Sequence, residues 1–169
     1  MIKKSSVLIL FLCFLQFRLS VTAVEAHFDN DCEKALIGEI EKSKKDIRIA
    51  IYSFTRFSIA NALKKAAQSG VQIKVIWDKT QYDSSEYSEK IKGILQDAKI
   101  EVFIFEGEPK MHHKFAIIDS KTVVTGSFNF TTSAAKFNYE NMVIIKETGV
   151  AEKFSKAWEK IFQKISKKD

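Results

Sequence analysis

The chain has 169 residues and a formal net charge of +6, with 46% hydrophobic and 28% charged residues. This length suits a single domain with one hydrophobic core, and no Pro-rich linker or long low-complexity tract divides it. The mild basic excess favours polyanionic partners such as nucleic acid or anionic lipid, although a merely soluble basic surface would carry the same charge.

The first 26 residues have the features of a signal peptide. Two lysines precede an apolar run, Val7–Phe17, which is shorter than the roughly 20 residues that span a bilayer. The small residues at the end of this segment predict cleavage after Ala26, with Ala23 as the second choice, and an uncleaved N-terminal anchor is the alternative. We therefore expect an exported protein, periplasmic or secreted, without stable membrane insertion after cleavage.

The predicted domain, residues 27–169, keeps one cysteine, Cys32. A disulfide within the mature chain is therefore excluded. We expect Cys32 to be a buried apolar thiol, and a crosslink between subunits is the alternative.

Short β-like runs alternate with amphipathic helices along this domain. The predicted helices cover Cys32–Ser43, Ser58–Ser69, Glu86–Asp97 and the chain from Val150 onward, where lysines occupy the outer face. The predicted strands cover Asp46–Phe54, Val71–Trp77, Ile100–Phe105, Lys114–Asp119, Thr122–Phe128 and Met142–Lys146. Strands separated by helices imply an α/β sandwich, and the close turn at Ser120–Lys121 implies some antiparallel pairing.

The segment Met111–Asn141 contains the residues best suited to chemistry. Side chains alternate between the faces of a strand, so His112 and Lys114 point one way and Asp119 points the other. Ser127 and Asn129 also share a parity. If the two strands are neighbours, these four polar groups converge at one end of the sheet, and Asp119 has a structural role in a turn or beside a buried cation.

This set suits a reaction at a phosphate ester. A neutral His112 is a good nucleophile near neutral pH and can form a covalent intermediate. Lys114 offers a positive charge to phosphate oxygens as negative charge spreads in the transition state. Asn129 and Ser127 can donate hydrogen bonds to the same anion.

Two further residues complete the predicted site. Gly126 lets the backbone approach closely. Glu140 can accept a hydrogen bond from the distal nitrogen of His112, which would set the tautomer of the ring. No cluster of carboxylates or cysteines suggests a catalytic metal, so we expect a mechanism without metal or cofactor.

The spacing of these residues resembles the motif of the phospholipase D superfamily. The motif reads His112-x-Lys114-x4-Asp119, followed after six residues by Gly126-Ser127-x-Asn129. The segments AIYSFT (50–55), GVQIKVIWD (70–78), GSFNFT (126–131) and the NYEN around Glu140 extend the likeness over nearly the whole mature chain. It is greatest to the short, single-motif, Nuc-like bacterial endonucleases of that superfamily.

The resemblance implies a mixed β-sheet with helices on both faces, an α/β/α sandwich with one motif per chain. It also implies a homodimer that shares one active site, because one chain has half of the paired motif. In that arrangement His112 is the nucleophile in one subunit and the general acid in the other. Lys114 and Asn129 bind phosphate, Ser127 assists and Glu140 orients His112.

The expected function is metal-independent hydrolysis of nucleic acid, DNA or RNA, with little sequence preference and with lysines contacting the backbone. A phospholipase D that acts on membrane lipids is the main alternative, because the motif chemistry is the same. A nucleic-acid-binding protein without catalysis is a further alternative, against which the intact motif argues.

Overall fold

The computed structural model describes residues 23–167. The strands are β1 (Ala23–Phe28), β2 (Asp46–Ile51), β3 (Gln72–Asp78), β4 (Glu101–Phe105), β5 (Lys114–Ile118), β6 (Thr122–Gly126) and β7 (Asn141–Lys146). The helices are α1 (Asn30–Lys42), α2 (Phe57–Gln68), α3 (Lys79–Asp83), α4 (Glu86–Asp97), α5 (Thr132–Lys136) and α6 (Thr148–Ile165).

All these strands belong to one mixed sheet, in the order β1-β7-β6-β5-β2-β3-β4. β2, β3 and β4 are parallel, and helices form the crossovers between them. The other pairings are antiparallel, including β2 with β5 and the β5–β6 hairpin. The mixed sheet that the sequence predicted is therefore confirmed.

Helices cover both faces of the sheet. Buried residues of α1, α2, α4 and α5 pack against one face, and α6 packs against the other. Trp158 anchors α6 because its buried ring packs on the sheet while its Nε1 donates a hydrogen bond of 2.8 Å to the carbonyl oxygen of Ile49. The predicted α/β/α sandwich is confirmed.

β1 was not predicted from the sequence. Ala23 lies opposite Lys146 in an antiparallel pairing that continues to Phe28. Cleavage after Ala26 would remove four of the six residues of β1, whereas cleavage after Ala23 would remove one. The cleavage site stays a prediction, and the rest of the proposed leader, residues 1–22, lies outside the described residues.

Several boundaries differ from the sequence prediction for local reasons. β5 ends at Ile118 because Asp119 and Ser120 adopt left-handed backbone conformations, with φ of 52° and 56°. β2 ends at Ile51, and beyond it only an isolated bridge between Phe54 and Phe130 continues the pairing. The short helices α3 and α5 were not predicted, and five residues are too few for a clear helical period.

Cys32 is a free cysteine with no exposed surface, which confirms the predicted buried thiol. Burial raises the pKa of this thiol to about 11, so it stays protonated at neutral pH. None of the helices within residues 23–167 combines the length and the apolar character needed to cross a bilayer.

Candidate active site

The first residues of β5 lie at the carboxyl edge of the parallel strands. β5 runs antiparallel to β2, so Lys114 pairs with Ile51, the last residue of β2. Tyr52 follows β2 directly, and Asp78 is the last residue of β3. This edge is where open α/β sheets bind ligands. The topology therefore places the predicted nucleophile, His112, at a suitable edge for chemistry.

His112 lies between a tyrosine ring and a lysine. The rings of His112 and Tyr52 are 4.2 Å apart between centroids and inclined at 56°. Lys114 Nζ lies 3.3 Å from His112 Nδ1 and donates to the His112 carbonyl oxygen at 3.0 Å. The same ammonium group is 5.0 Å from the centroid of Tyr52. These contacts hold two basic groups together on one side of the sheet edge.

The environment favours the neutral form of His112. Burial lowers the pKa of His112, and the positive charges of Lys114 and Lys110 lower it further, against the opposing effect of Asp78. Burial also lowers the pKa of Lys114, while the charge of Glu140 acts in the other direction. A neutral imidazole retains the lone pair that a nucleophile requires.

The segment after β6 lies beside Lys114. Lys114, Gly126 and Phe128 border one small cavity. A Cβ atom added to Gly126 would lie 2.1 Å from the carbonyl oxygen of Asn141 and 2.8 Å from the Cα of Met142. Because both neighbours are backbone atoms of β7, this position requires glycine, as the sequence suggested.

Ser127 and Asn129 alternate with two buried phenylalanines, Phe128 and Phe130. The Phe130 amide donates to the carbonyl oxygen of Ser53 at 3.0 Å, which ties this segment to the end of β2. Asn129 has a buried amide oxygen with no hydrogen-bond partner in the described part of the chain. The oxygen and nitrogen of an amide are interchangeable by a flip, so this buried group can offer N–H donors to an anion.

Glu140 does not contact His112 within residues 23–167. Its carboxylate accepts hydrogen bonds from the hydroxyl of Ser127 and, at 3.1 Å, from the side-chain amide of Asn138. Its own amide donates to Asp29 Oδ1 at 3.0 Å. Within a single chain Glu140 therefore holds Ser127, and the role expected of Glu140 from the sequence, orienting His112, stays a prediction.

Asp119 lies at the opposite end of β5 from Lys114. Its Oδ1 accepts from the backbone amides of Lys44 at 3.0 Å, Lys45 at 2.7 Å and Asp46 at 3.3 Å. Burial opposes ionisation of Asp119, but these hydrogen bonds outweigh it and lower the pKa of the carboxyl. These contacts connect the β5–β6 turn to the chain before β2, as the parity argument anticipated for a structural residue.

Sequence reasoning missed three residues around His112: Tyr52, Asp78 and Lys110. Asp78 is buried and caps α3 by accepting from the amides of Thr80 and Gln81. A usable signal was present, because Tyr52 and Asp78 stand at the ends of two adjacent parallel strands. Among the described residues, no three His, Cys, Asp or Glu side chains cluster in a way that could hold a metal ion.

Comparison with known proteins agrees with this geometry. Residues 36–165 match the family model described as "Cardiolipin synthase, PLD-like domain". Nuc from Salmonella typhimurium, a phospholipase D family member of known crystal structure, is 30% identical with a TM-score of 0.80, over 84% of this chain and 95% of Nuc. NucT from Helicobacter pylori is 27% identical with a TM-score of 0.78, over 84% of this chain and 96% of NucT.

A relative with a phospholipase name is also similar in sequence. A protein named phospholipase D from Rickettsia prowazekii is 36% identical over 129 residues, which are 75% of this chain and 60% of the relative. The chain thus spans about three fifths of the length of this relative. Fold and site together define an α/β/α sandwich of the Nuc type with one His-x-Lys motif. The chain belongs to the phospholipase D superfamily.

Proposed function

We propose that this protein is a metal-independent phosphodiesterase that hydrolyses nucleic acid through a phosphohistidine intermediate, in a homodimer that shares one active site. The observation that carries the proposal is the position of His112 and Lys114 beside the Gly126–Asn129 segment, at the carboxyl edge of the sheet. A nucleophile and a cation are in contact there, and the neighbouring segment carries the neutral donors Ser127 and Asn129, a set that suits phosphoryl transfer.

The proposed reaction has two steps. A ring nitrogen of His112 attacks phosphorus, and the P–O bond to the leaving group breaks while a second histidine protonates the leaving oxygen. Water then attacks phosphorus, the P–N bond breaks, and the same second histidine takes the proton from water. Lys114, Asn129 and Ser127 bind the phosphate oxygens as negative charge increases. The lowered pKa of His112 supports its role as nucleophile.

The second histidine is the reason for proposing a dimer. Within residues 23–167 the other histidines are His27, on β1, and His113. His113 packs against Phe115, whose side chain belongs to the cluster on the α6 face of the sheet, away from the side of His112. We therefore assign the proton transfer to His112 of a second copy, related by two-fold symmetry.

Nucleic acid is the substrate that the observations favour. The chain aligns with 95% of Nuc and 96% of NucT, so it has the dimensions of these proteins, and its motif resembles that of the single-motif endonucleases. The basic surface suits a polyanion. A phospholipase activity is the second candidate, supported by the names of the Rickettsia relative and of the family model.

The test is incubation of the purified protein with labelled DNA, labelled RNA and phospholipid vesicles in the presence of a chelator. We expect cleavage of at least one nucleic acid and no headgroup release. His112→Ala should abolish cleavage while binding of the same oligonucleotide stays measurable. Asp119→Asn, at the structural end of the motif, is the matched control and should cleave.

Three results would contradict the proposal. Headgroup release without cleavage of DNA or RNA would favour the phospholipase. Full activity of His112→Ala would exclude the phosphohistidine. Activity that is lost in chelator and restored by a divalent ion would exclude the metal-independent mechanism.

A further inference from the structure

A cleft lies on the α6 face of the sheet, next to the proposed active site. It is a cavity of about 300 Å³ between the chain preceding β5 and the C-terminal half of α6. Its walls include Met111 and Ile161, and its charged groups are Lys110, Lys160 and Lys164. We call this cavity the α6 cleft.

The charged side chains that line the α6 cleft are all positive. Three lysines and His113 line it, and none of its lining residues is a carboxylate. The two neighbouring cavities differ because carboxylates offset their basic residues. One is lined by Glu106 and Glu108 with Lys164 and Lys167, and the other by Glu152 and Glu159 with Arg48, Lys156 and Lys160. An anion is therefore attracted to the α6 cleft in preference to the cavities on either side.

Lys110 connects this cleft to the proposed nucleophile. Its Nζ lies 4.9 Å from the centroid of Tyr52, whose ring is in contact with His112. His112 and His113 are adjacent and point to opposite faces of the sheet edge. A strand of substrate whose phosphate reaches His112 can therefore pass this edge and continue into the α6 cleft.

We propose that the α6 cleft binds a nucleotide next to the scissile phosphate, with its phosphate at Lys160 and Lys164 and its base against the apolar wall of Met111 and Ile161. This inference rests on the proposed function. A mixed apolar and cationic lining suits a nucleotide, which has a flat base and an anionic phosphate. The site would accept any base, because phosphate contacts carry no sequence information.

The experiment compares two double variants on the same helix. Lys160→Gln with Lys164→Gln removes two charges from the cleft, and Lys153→Gln with Lys156→Gln removes two charges outside it. Both pairs are introduced into the His112→Ala protein, and binding of a fluorescent single-stranded oligonucleotide is measured across a salt series. A third variant, Lys160→Arg with Lys164→Arg, keeps the charges.

The cleft variant should bind the oligonucleotide about tenfold more weakly, and its slope of log affinity against log salt should fall by about 0.7, the contribution of one phosphate contact on a single strand. The control pair and the arginine pair should bind as the parent does. With active His112, the cleft variant should have a raised KM for the oligonucleotide and unchanged turnover of bis(4-nitrophenyl) phosphate, which has no adjoining nucleotide to bind in the cleft.

Equal losses in the cleft and control variants would overturn the proposal, because they would indicate a diffuse charge effect. Unchanged binding in the cleft variant would also overturn it, as would a loss of binding to phosphatidylglycerol vesicles without a loss for the oligonucleotide. The proposed function is tested separately, by cleavage of DNA and RNA by the unaltered protein in chelator and by the His112→Ala variant, and none of those results depends on the cleft lysines. Far-UV circular dichroism of each variant checks that α6 is intact.

Discussion

The two ends of strand β5 use charge in opposite ways. At the first end, burial lowers the pKa values of His112 and Lys114, so the charged form of each basic group is disfavoured. At the other end, hydrogen bonds from three backbone amides lower the pKa of Asp119, so the charged form of this acid is favoured. A shift in the same direction thus has opposite consequences for a base and an acid.

This difference separates reactivity from stability within one motif. A partly buried base either stays neutral and keeps its lone pair or, when charged, binds an anion strongly. Burial of such a base destabilises the folded state. An acid whose charged form is fully hydrogen-bonded stabilises the fold and has little capacity left for a substrate. We therefore expect variants at the first end to affect cleavage and variants at the Asp119 end to affect unfolding.

After the loss of cleavage expected for His112→Ala, the largest expected effect is that of Lys114→Met on cleavage. The substitution keeps most of the apolar stem and removes the ammonium group beside His112. We expect the cleavage rate to fall about 10²- to 10³-fold, as is typical when one group that stabilises transition-state charge is removed. The thermal midpoint should stay constant or rise, because a partly buried charge is lost. A variant that cleaves within tenfold of the parent rate would remove Lys114 from the phosphate site.

Gly126→Ala should have the largest effect on stability. The added Cβ would lie 2.1 Å from a backbone oxygen of β7, so the β6–β7 pairing must shift. We expect a loss of about 3 kcal/mol in the free energy of unfolding, measured by urea denaturation. Gly93→Ala on α4 is the matched control, because a Cβ there meets nothing within 4 Å. Equal stabilities of the two variants would mean that Gly126 is not required for the close approach of β7.

Asp119→Asn should destabilise the protein without affecting cleavage by folded molecules. Asparagine can adopt the left-handed backbone conformation of Asp119. Its neutral side chain, however, lacks the negative charge that accepts hydrogen bonds from the three backbone N–H groups. We expect the free energy of unfolding to fall by about 1 to 2 kcal/mol at pH 7. The stability from Asp119 is fully present above its unfolded pKa, near 3.8, and is lost as the pH falls through the lower folded pKa.

The difference in free energy of unfolding between Asp119→Asn and the parent should therefore become smaller in acid. Chemical denaturation at pH 7 and in strong acid measures it. A constant difference across this range would show that the Asp119 charge does not stabilise the turn. A large loss of cleavage in folded Asp119→Asn would place Asp119 in the reaction.

The smallest expected effect is that of Lys110→Gln on the titration of His112. The positive charge of Lys110 contributes to the lowered pKa of His112, so its removal should raise that pKa. The acid limb of the rate with a small diester should then move to higher pH, because the nucleophile must be unprotonated. NMR titration of the His112 ring measures the same shift directly. Lys121→Gln, at the other end of β5, is the control and should leave the His112 titration unchanged.

Much of the fold follows from local patterns. The strands with clear alternation and the helices with a clear apolar face were predicted within a few residues, and α4 was predicted with its observed bounds, Glu86–Asp97. β1 was missed because four of its six residues, Ala23–Ala26, were assigned to the proposed leader. α3 depends on the cap from Asp78 and α5 on the cap from Thr131, which no periodic pattern indicates.

The features of the candidate site also fall into those that a local pattern predicts and those that it does not. Parity along β5 predicted a difference between Lys114 and Asp119. In the structure the two are separated because β5 ends at Ile118 and Asp119 lies in the left-handed turn beyond it. Parity could not show that Glu140 binds Ser127 and Asn138, since those contacts depend on how the chain folds back after α5. Tyr52 and Lys110 were not found because their contacts around His112 also depend on the tertiary packing.

The sequence by itself determined the α/β class and the motif residues, which depend on local side-chain patterns and on spacing along the chain. Only the tertiary structure decided that β5 pairs antiparallel with β2 and so presents His112 at the carboxyl edge of the parallel strands. It also decided that His112 is surrounded by Tyr52, Lys110 and Lys114, with the α6 cleft beside it. Strand order and the packing of α6 depend on contacts between residues distant in the chain, which local periodicity does not encode.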